Sequence, residues 1–177
     1  MHLYIYKGEG FPPAKIPGDC NPILKFNCFG HKKNSSYKEG TYNPFWSENV
    51  LIDNISMQDL FVTNITKGLV VEAFDYVDGD KKDQFIGSFL IKINSSNLIT
   101  YKPNDKDRKE AKIQGGNSNP MTTDFIFMKP RWYYVTNPHI EIGKHIFGKV
   151  LIGLAVFRKE DLSKGKIPRY RFDYKYR

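Results

Sequence analysis

Few residues in this 177-residue chain are of types that perform chemistry alone, and their spacing does not match a catalytic centre. The four histidines lack the short spacing of metal ligands: His2, His31, His139 and His145. The cysteines, Cys20 and Cys28, suit neither a disulfide framework nor a tetrahedral zinc site. Neither a Gly-x-Ser-x-Gly elbow nor a phosphate-binding glycine-rich loop occurs in the sequence. We therefore predict a protein that is not an enzyme and whose thiols are reduced.

The charge balance indicates the kind of partner. Lysine and arginine number 27 against 19 aspartate and glutamate residues, a formal net charge of +8. Such a chain favours anionic partners: acidic lipid headgroups, nucleic acid or an acidic protein surface. Charge alone does not choose among them. Because the chain carries no nucleic-acid-binding motif, we expect nucleic acid to be the least suitable partner.

The hydrophobic pattern predicts a globular chain without a membrane span. The longest apolar run, Val150 to Phe157, has about eight residues, far short of the ~20 that a bilayer requires. Polar residues and glycine interrupt the N-terminal apolar stretch from Lys7 onward, unlike a secretory signal. We expect a cytoplasmic protein that acts peripherally at the cytosolic face of membranes, either alone or within a larger membrane-anchored chain.

Alternation of apolar and polar residues with a period of two predicts strands, and helical periodicity is nearly absent. Leu3 and Ile5 alternate with polar neighbours, as do Leu24, Phe26 and Cys28. The predicted strands are His2 to Tyr6, Ile23 to Phe29, His31 to Lys38 at an edge, Trp46 to Asp53, Leu69 to Asp75, Phe85 to Ile93, Arg131 to Val135 and Lys149 to Phe157. About eight strands with turn-rich connections imply an all-β antiparallel sandwich.

Two segments interrupt this rhythm. Asn94 to Pro130 is predicted to be a long insertion, with a short charged helix at Asp105 to Lys112. Residues 161–177 form a basic aromatic tail or linker that follows a domain of residues 1–160. The tail is either a further strand or the start of a longer protein.

Several local patterns occur in one order and together resemble a C2 domain over nearly the whole chain. The first loop, Phe11 to Pro22, is similar to the family loop L-P-x-x-D-x-x-G-x-S-D-P. The run from Thr41 to Glu48 resembles the signature T-x-N-P-x-W-x-E, and Leu69 to Gly87 resembles the acidic strand-loop-strand that ends in F-I-G. The resemblance implies an eight-stranded antiparallel β-sandwich of type II topology with a long insertion before the last two strands. The insertion and the Trp132-Tyr133 pair are similar to domains of ferlins, large membrane-fusion proteins with tandem C2 domains.

The same resemblance implies a calcium site that is degraded or weak. In calcium-dependent members, aspartates of two loops supply most of the oxygen ligands. Here the matching positions hold Lys15, Asn21 and Val77 where the family has aspartate, whereas Asp75 and Asp83 are retained. The residues expected at such a site are Asp19, Asn21, Asp75, Asp78, Asp80 and Asp83. Either calcium does not bind at cellular concentrations, with Lys15 as a built-in counter-charge, or it binds weakly in a rearranged site.

Two further surfaces follow from the resemblance. A basic patch that attracts anionic lipid is expected at Lys25, Lys32, Lys33 and Lys38, although lysines scattered on a solvated face are an equal alternative. Membrane-facing loop tips are expected at Phe11, Ile16, Tyr76 and Val77.

The function that we predict is a non-catalytic module that targets phospholipid membranes with a degraded calcium site, within a larger trafficking or vesicle-fusion protein. A calcium-dependent phospholipid sensor and a calcium-independent protein-interaction scaffold are the alternatives. The predicted partners are an anionic phospholipid membrane surface and, for the scaffold, another protein. No cofactor is expected except weakly bound Ca²⁺.

Overall fold

The computed structural model describes residues 1–13, 18–55, 68–79, 82–93, 97–101, 125–140 and 146–157. These residues form nine strands: β1 His2–Glu9, β2 Pro22–Cys28, β3 His31–Asn34, β4 Phe45–Leu51, β5 Leu69–Asp75, β6 Gln84–Ile91, β7 Ile99–Tyr101, β8 Phe125–Thr136 and β9 Ile146–Val156. Within the same ranges, no helix is long and apolar enough to cross a membrane. The predicted all-β class is confirmed.

All strand pairs are antiparallel, and the strand order is β3-β2-β5-β6-β8-β9-β1-β4, with β7 beside β8. The first four and the last four strands of this order form the two sheets of the predicted β-sandwich. A single pair, Ser88 opposite Thr136, joins them through β6 and β8. A Cβ atom on Gly87 would lie 2.7 Å from the Thr136 carbonyl oxygen, so only glycine permits this close approach. This glycine closes the F-I-G pattern.

The core lies between the sheets, and its residues follow the predicted alternation. Leu3 and Ile5 of β1 point inward, as do Leu24, Phe26 and Cys28 of β2. Apolar side chains of both sheets meet here, and burying each one contributes roughly 1.5–3 kcal/mol relative to exposure. The apolar faces of the two sheets therefore bury each other, and this burial stabilises the predicted strands.

The strand before the last differs from its prediction. β8 begins at Phe125 and not at Arg131, and its first residues pair with the short strand β7. Both flanks of the predicted insertion are thus strands, whereas residues 94–96 and 102–124, with the predicted helix, lie outside the described residues. Pro130, which lacks a backbone N–H, is accommodated because the pairing register of β8 with β9 shifts between Met128 and Arg131.

The edge strand β3 is shorter than predicted and ends at Asn34, and all four of its residues are exposed. The tail at 161–177 lies outside the described residues, and so do Lys15, Ile16 and Asp80.

Candidate functional site

Four connections meet at one end of the sandwich, which we call the loop end. They are the segments between β1 and β2, β3 and β4, β5 and β6, and β8 and β9, and their described residues are 10–13, 18–21, 35–44, 76–79, 82–83 and 137–140. Backbone hydrogen bonds tie the first two connections together, from Phe11 N to the Tyr42 oxygen at 2.8 Å and from Thr41 N to the Cys20 oxygen at 2.8 Å. The antiparallel topology therefore gathers the predicted site residues at the loop end.

The Thr41 to Glu48 run fixes the connection between β3 and β4. Trp46 is buried, and its Nε1 donates to the carbonyl oxygen of Ser36 at 2.9 Å. The Glu48 carboxylate accepts from the N–H of the same Ser36 at 3.0 Å. Asn43 Oδ1 accepts from Gly10 N at 3.0 Å. The side chains of this pattern thus hold two loops by satisfying their backbone groups.

Asn21 connects three segments of the loop end. Its backbone N–H donates to Asp75 Oδ1 at 2.8 Å, and its side-chain Oδ1 accepts from Gly40 N at 2.9 Å. The backbone of Tyr76 donates to the Asn21 carbonyl oxygen at 2.9 Å. Asp75 is buried at the end of β5, so its carboxylate gains a backbone donor in place of water. The retained aspartate and the substituted position are therefore direct partners.

Lys25 and Asp83 form an ion pair in which Nζ lies 2.7 Å from Oδ2. The other carboxylate oxygen of Asp83 accepts from the backbone N–H of Val77 at 3.3 Å. The ammonium group also lies 4.2 Å from the ring centroid of Phe74, a cation–π contact. Lys25, predicted for the lipid-binding patch, is instead engaged with a predicted calcium ligand. Lys25 extends from the outer face of β2, so its long stem can reach Asp83, just before the start of β6.

Cys20 lies beside this network and is buried, and Cys28 is buried in the core. Burial, with the nearby Asp75 carboxylate as a second cause, raises the pKa of the Cys20 thiol to about 12. The group is therefore protonated at neutral pH and is a poor nucleophile.

The family model of the C2 domain matches residues 1–121. The chain belongs to the C2 domain family. Among solved structures, a C2 domain of plant Extended Synaptotagmin 1 aligns with a TM-score of 0.51 and 12% identity, covering 89% of this chain and 95% of that chain. The BON1-C2B structure aligns with a TM-score of 0.50 and 12% identity, covering 88% and 91%. At these identities the likeness concerns the fold. No curated protein matches the sequence closely enough to count as a relative.

C2 domains often bind Ca²⁺. Calcium requires six to eight oxygen ligands. No three His, Cys, Asp or Glu side chains of the described ranges are grouped as they would be around a metal ion. Asp83 is paired with Lys25, and Asp78 is exposed and accepts from the neighbouring Gly79 N at 2.9 Å. Asp19 is exposed in the first loop. These residues of the C2 domain do not fit a calcium site as they stand.

The predicted membrane-facing tips of the C2 domain are only partly placed at the surface. Phe11 is 1% exposed and packs against Trp46. The prediction for Phe11 is therefore wrong, because this ring belongs to the core. Tyr76 and Val77 are partly exposed. Tyr76 stacks on Tyr37, with ring centroids 4.4 Å apart and planes at 14°.

Three exposed aromatic residues of the loop end were not predicted: Tyr37, Tyr42 and Phe45. Phe45 is the most exposed of them, at 69%. Tyr42 and Phe45 flank the Asn43-Pro44 turn of the C2 signature, and a turn places side chains at the surface. That turn was the available signal. The sequence around Tyr37 contains no such signal, because the position of this ring depends on where Tyr76 lies.

The four predicted patch lysines do not form one cluster. Lys32 and Lys33 are exposed on β3, but neighbouring strand residues point to opposite faces. Lys32 lies opposite Asn27 and shares the face of Lys25, whereas Lys33 lies opposite the buried Phe26. Lys38 is half-buried in the next loop. The four lysines therefore do not form the single predicted patch: Lys32 and Lys33 are both exposed, but they lie on opposite faces of β3.

A second basic cluster lies on the other sheet of the C2 domain, at β1, β8 and β9. Glu9 binds Lys7 and Lys149, each with a 3.0 Å contact between nitrogen and oxygen. Both ammonium groups lie near the Trp132 ring, at 5.3 and 4.5 Å from its centroid. The hydrogen bonds from Lys149 and then Lys7 lower the pKa of Glu9. The sequence did not predict this cluster because its members come from three strands, and β1 is far from β8 and β9 along the chain.

Proposed function

We propose that this C2 domain is a non-catalytic module that docks on anionic phospholipid membranes without requiring calcium. The observation that supports it best is the exposed aromatic surface of the loop end, with the stacked pair of Tyr37 and Tyr76. Tyrosine rings suit the boundary between lipid chains and headgroups, because one end is apolar and the hydroxyl stays hydrated. Tyr42 and Phe45 are also exposed and Val77 is partly exposed. We propose that these three residues and Ile16 belong to the same docking surface.

Electrostatic attraction is the second part of the proposal. The net charge of +8 draws the domain toward an acidic surface. Lys32 and Lys33 are exposed and are proposed to approach the headgroups, each adding about 1 kcal/mol of attraction. Lys38 lies nearer the loop end and is proposed to assist, whereas Lys25 is held by Asp83.

The calcium-independent part rests on the engagement of the acidic residues. Asp75 and Asp83 already accept hydrogen bonds from Asn21, Val77 and Lys25. We propose that the site, including Asp19, Asp78 and Asp80, binds Ca²⁺ weakly or not at all. Membrane binding should then be constitutive and sensitive to salt.

The test is sedimentation with liposomes of graded acidic-lipid content, with Ca²⁺ or chelator and at low or physiological salt. We expect equal binding with calcium and with chelator, and loss of binding as salt rises. Binding only with calcium would identify a calcium-dependent sensor. Absence of liposome binding, together with a stable protein partner, would identify an interaction scaffold.

Matched variants separate the two surfaces in this assay. Lys32→Ala and Lys33→Ala should each weaken binding about fivefold at low salt, the equivalent of about 1 kcal/mol. Lys129→Ala removes an exposed lysine from β8 in the other sheet and should change little. The double variant of Tyr37→Ser and Tyr76→Ser should weaken the binding that persists at physiological salt. Tyr134→Ser replaces an exposed tyrosine of β8 and is the control for this double variant.

We also propose that the domain, residues 1–160, belongs to a larger membrane trafficking or fusion protein of the ferlin type and that residues 161–177 link it to the next part. The support is that the similar structures are named as individual C2 domains of their proteins, with a letter that distinguishes one such domain from another, as in BON1-C2B. The size of the native protein, measured by immunoblot with an antibody against this domain, tests the proposal. A native mass near 20.6 kDa would contradict it.

A further inference from the structure

The strand pairing of β2 does not explain where the ammonium group of Lys25 lies. Lys25 shares the outer face of the sheet with Phe74 and lies opposite Glu72 of β5, yet its ammonium group extends to Asp83 beyond the start of β6. The contact of 2.7 Å is short, as expected of a charge-assisted hydrogen bond. The Phe74 ring, 4.2 Å from Nζ, supports the side chain from one side.

Asp83 holds the connection between β5 and β6 in place. One of its oxygens accepts from Val77 N, at the beginning of that connection, and the other binds Lys25 on the neighbouring strand. Its side chain is only 16% exposed, so water screens its charge poorly. A partly buried carboxylate of this kind needs a cation or several donors nearby.

We propose that Lys25 is a tethered cation: its ammonium group neutralises Asp83 and holds the loop end in its folded arrangement in place of a metal ion. A cation on the same chain is present at every calcium concentration and loses no translational freedom on pairing. A divalent ion would have to displace Lys25 from Asp83 before using that carboxylate. The tethered cation therefore makes the loop end insensitive to calcium.

This inference shares only its calcium-independent part with the proposed membrane function. A domain that never sediments with liposomes can still contain a tethered cation, and a domain without one can still bind lipid. Each proposal can therefore be contradicted by its own experiment without contradicting the other.

The experiment measures thermal unfolding of the domain at low salt, with millimolar Ca²⁺ or with chelator, for five proteins. Lys25→Met keeps the apolar stem against Phe74 and removes the charge, whereas Lys25→Arg keeps the charge. Lys32→Met removes an exposed lysine from the same face and is the matched control. The wild type, Lys25→Arg and Lys32→Met should unfold at the same temperature with and without calcium.

Lys25→Met should unfold at a lower temperature than Lys32→Met in chelator. Calcium should then raise its midpoint by about 2–4 °C, because the ion compensates the carboxylate that lost its partner. Addition of Asp83→Asn to Lys25→Met should abolish both the loss and the calcium response. A calcium response in the wild type as large as in Lys25→Met would overturn the proposal, and so would no response in Lys25→Met.

Lys25→Met could fail to fold, and the double variant with Asp83→Asn then decides. If an unpaired carboxylate causes the failure, the double variant folds and does not respond to calcium. If the double variant also fails to fold, the fold needs the Lys25 ammonium group for a reason other than neutralising Asp83, and Lys25 is not a tethered cation.

Discussion

Phe11 packs edge-to-face against Trp46, with ring centroids 5.9 Å apart and ring planes at 74°. The contact joins the connection after β1 to the start of β4, and both rings belong to the main hydrophobic core. A ring from the first loop thus stabilises the core, while the exposed aromatic side chains near it come from the connection between β3 and β4, the start of β4 and the connection between β5 and β6.

We expect Phe11→Ala to lower the free energy of unfolding by about 3–5 kcal/mol, since it deletes a fully buried ring and leaves a cavity. Urea denaturation followed by tryptophan fluorescence measures the loss. Phe45→Ala, at an exposed position, should cost less than about 0.5 kcal/mol. Similar losses for the two variants would contradict the assignment of Phe11 to the core.

Gly8 is required by the same contact. A Cβ atom at this position would lie 2.5 Å from Cε2 of Phe11 and 3.0 Å from Cζ3 of Trp46. Gly8→Ala should therefore destabilise the fold by about 1–3 kcal/mol. The smaller side chain of Phe11→Leu should recover part of that loss in the double variant, and purely additive losses in chemical denaturation would argue that the overlap is elsewhere.

Asn21→Ala should lower the free energy of unfolding by about 1 kcal/mol, because the N–H of Gly40 loses its acceptor. Hydrogen exchange of the Gly40 amide should also become faster, which a general loss of stability alone would not confine to this site. Asn34→Ala, at an exposed position of β3, serves as the control. Unchanged exchange at Gly40 would show that the side chain of Asn21 is dispensable.

The pairing of Glu9 predicts a dependence of stability on pH. Its hydrogen bonds to Lys149 and Lys7 hold its pKa below the ordinary value of 4.5. A carboxylate with a lowered pKa in the folded state adds stability that is fully present above pH 4.5 and is lost as the pH falls through the folded value. The pair is partly exposed, so the gain stays below about 1 kcal/mol.

Urea denaturation of the wild type and of Glu9→Gln at several pH values measures this effect. The wild type should be more stable than the variant at neutral pH, and the difference should vanish once the pH lies below the lowered folded-state pKa of Glu9, where both side chains are neutral. High salt at neutral pH should shrink the same difference. A difference that persists at low pH would mean that Glu9 contributes through packing and not through its charge.

The sequence by itself determined most of the strands, the all-β class and the core positions within those strands. Alternation with a period of two is a local property, so Leu24, Phe26 and Cys28 could be assigned to the core without knowing their neighbours. The order of the T-x-N-P-x-W-x-E and F-I-G patterns was sufficient for the C2 family. The positions that lack the family's aspartates, Asn21 and Val77, could also be read directly.

Only the tertiary structure decided how those residues are used. Lys25 meets Asp83, Asn21 meets Gly40, and Phe11 meets Trp46 because antiparallel pairing brings distant connections to one end of the sandwich. Period-two alternation assigns a side chain to a face of its sheet, but it does not tell how far a long lysine stem reaches along that face. A loop residue carries no such period, so the direction of its side chain is set by the contacts that the folded loops make.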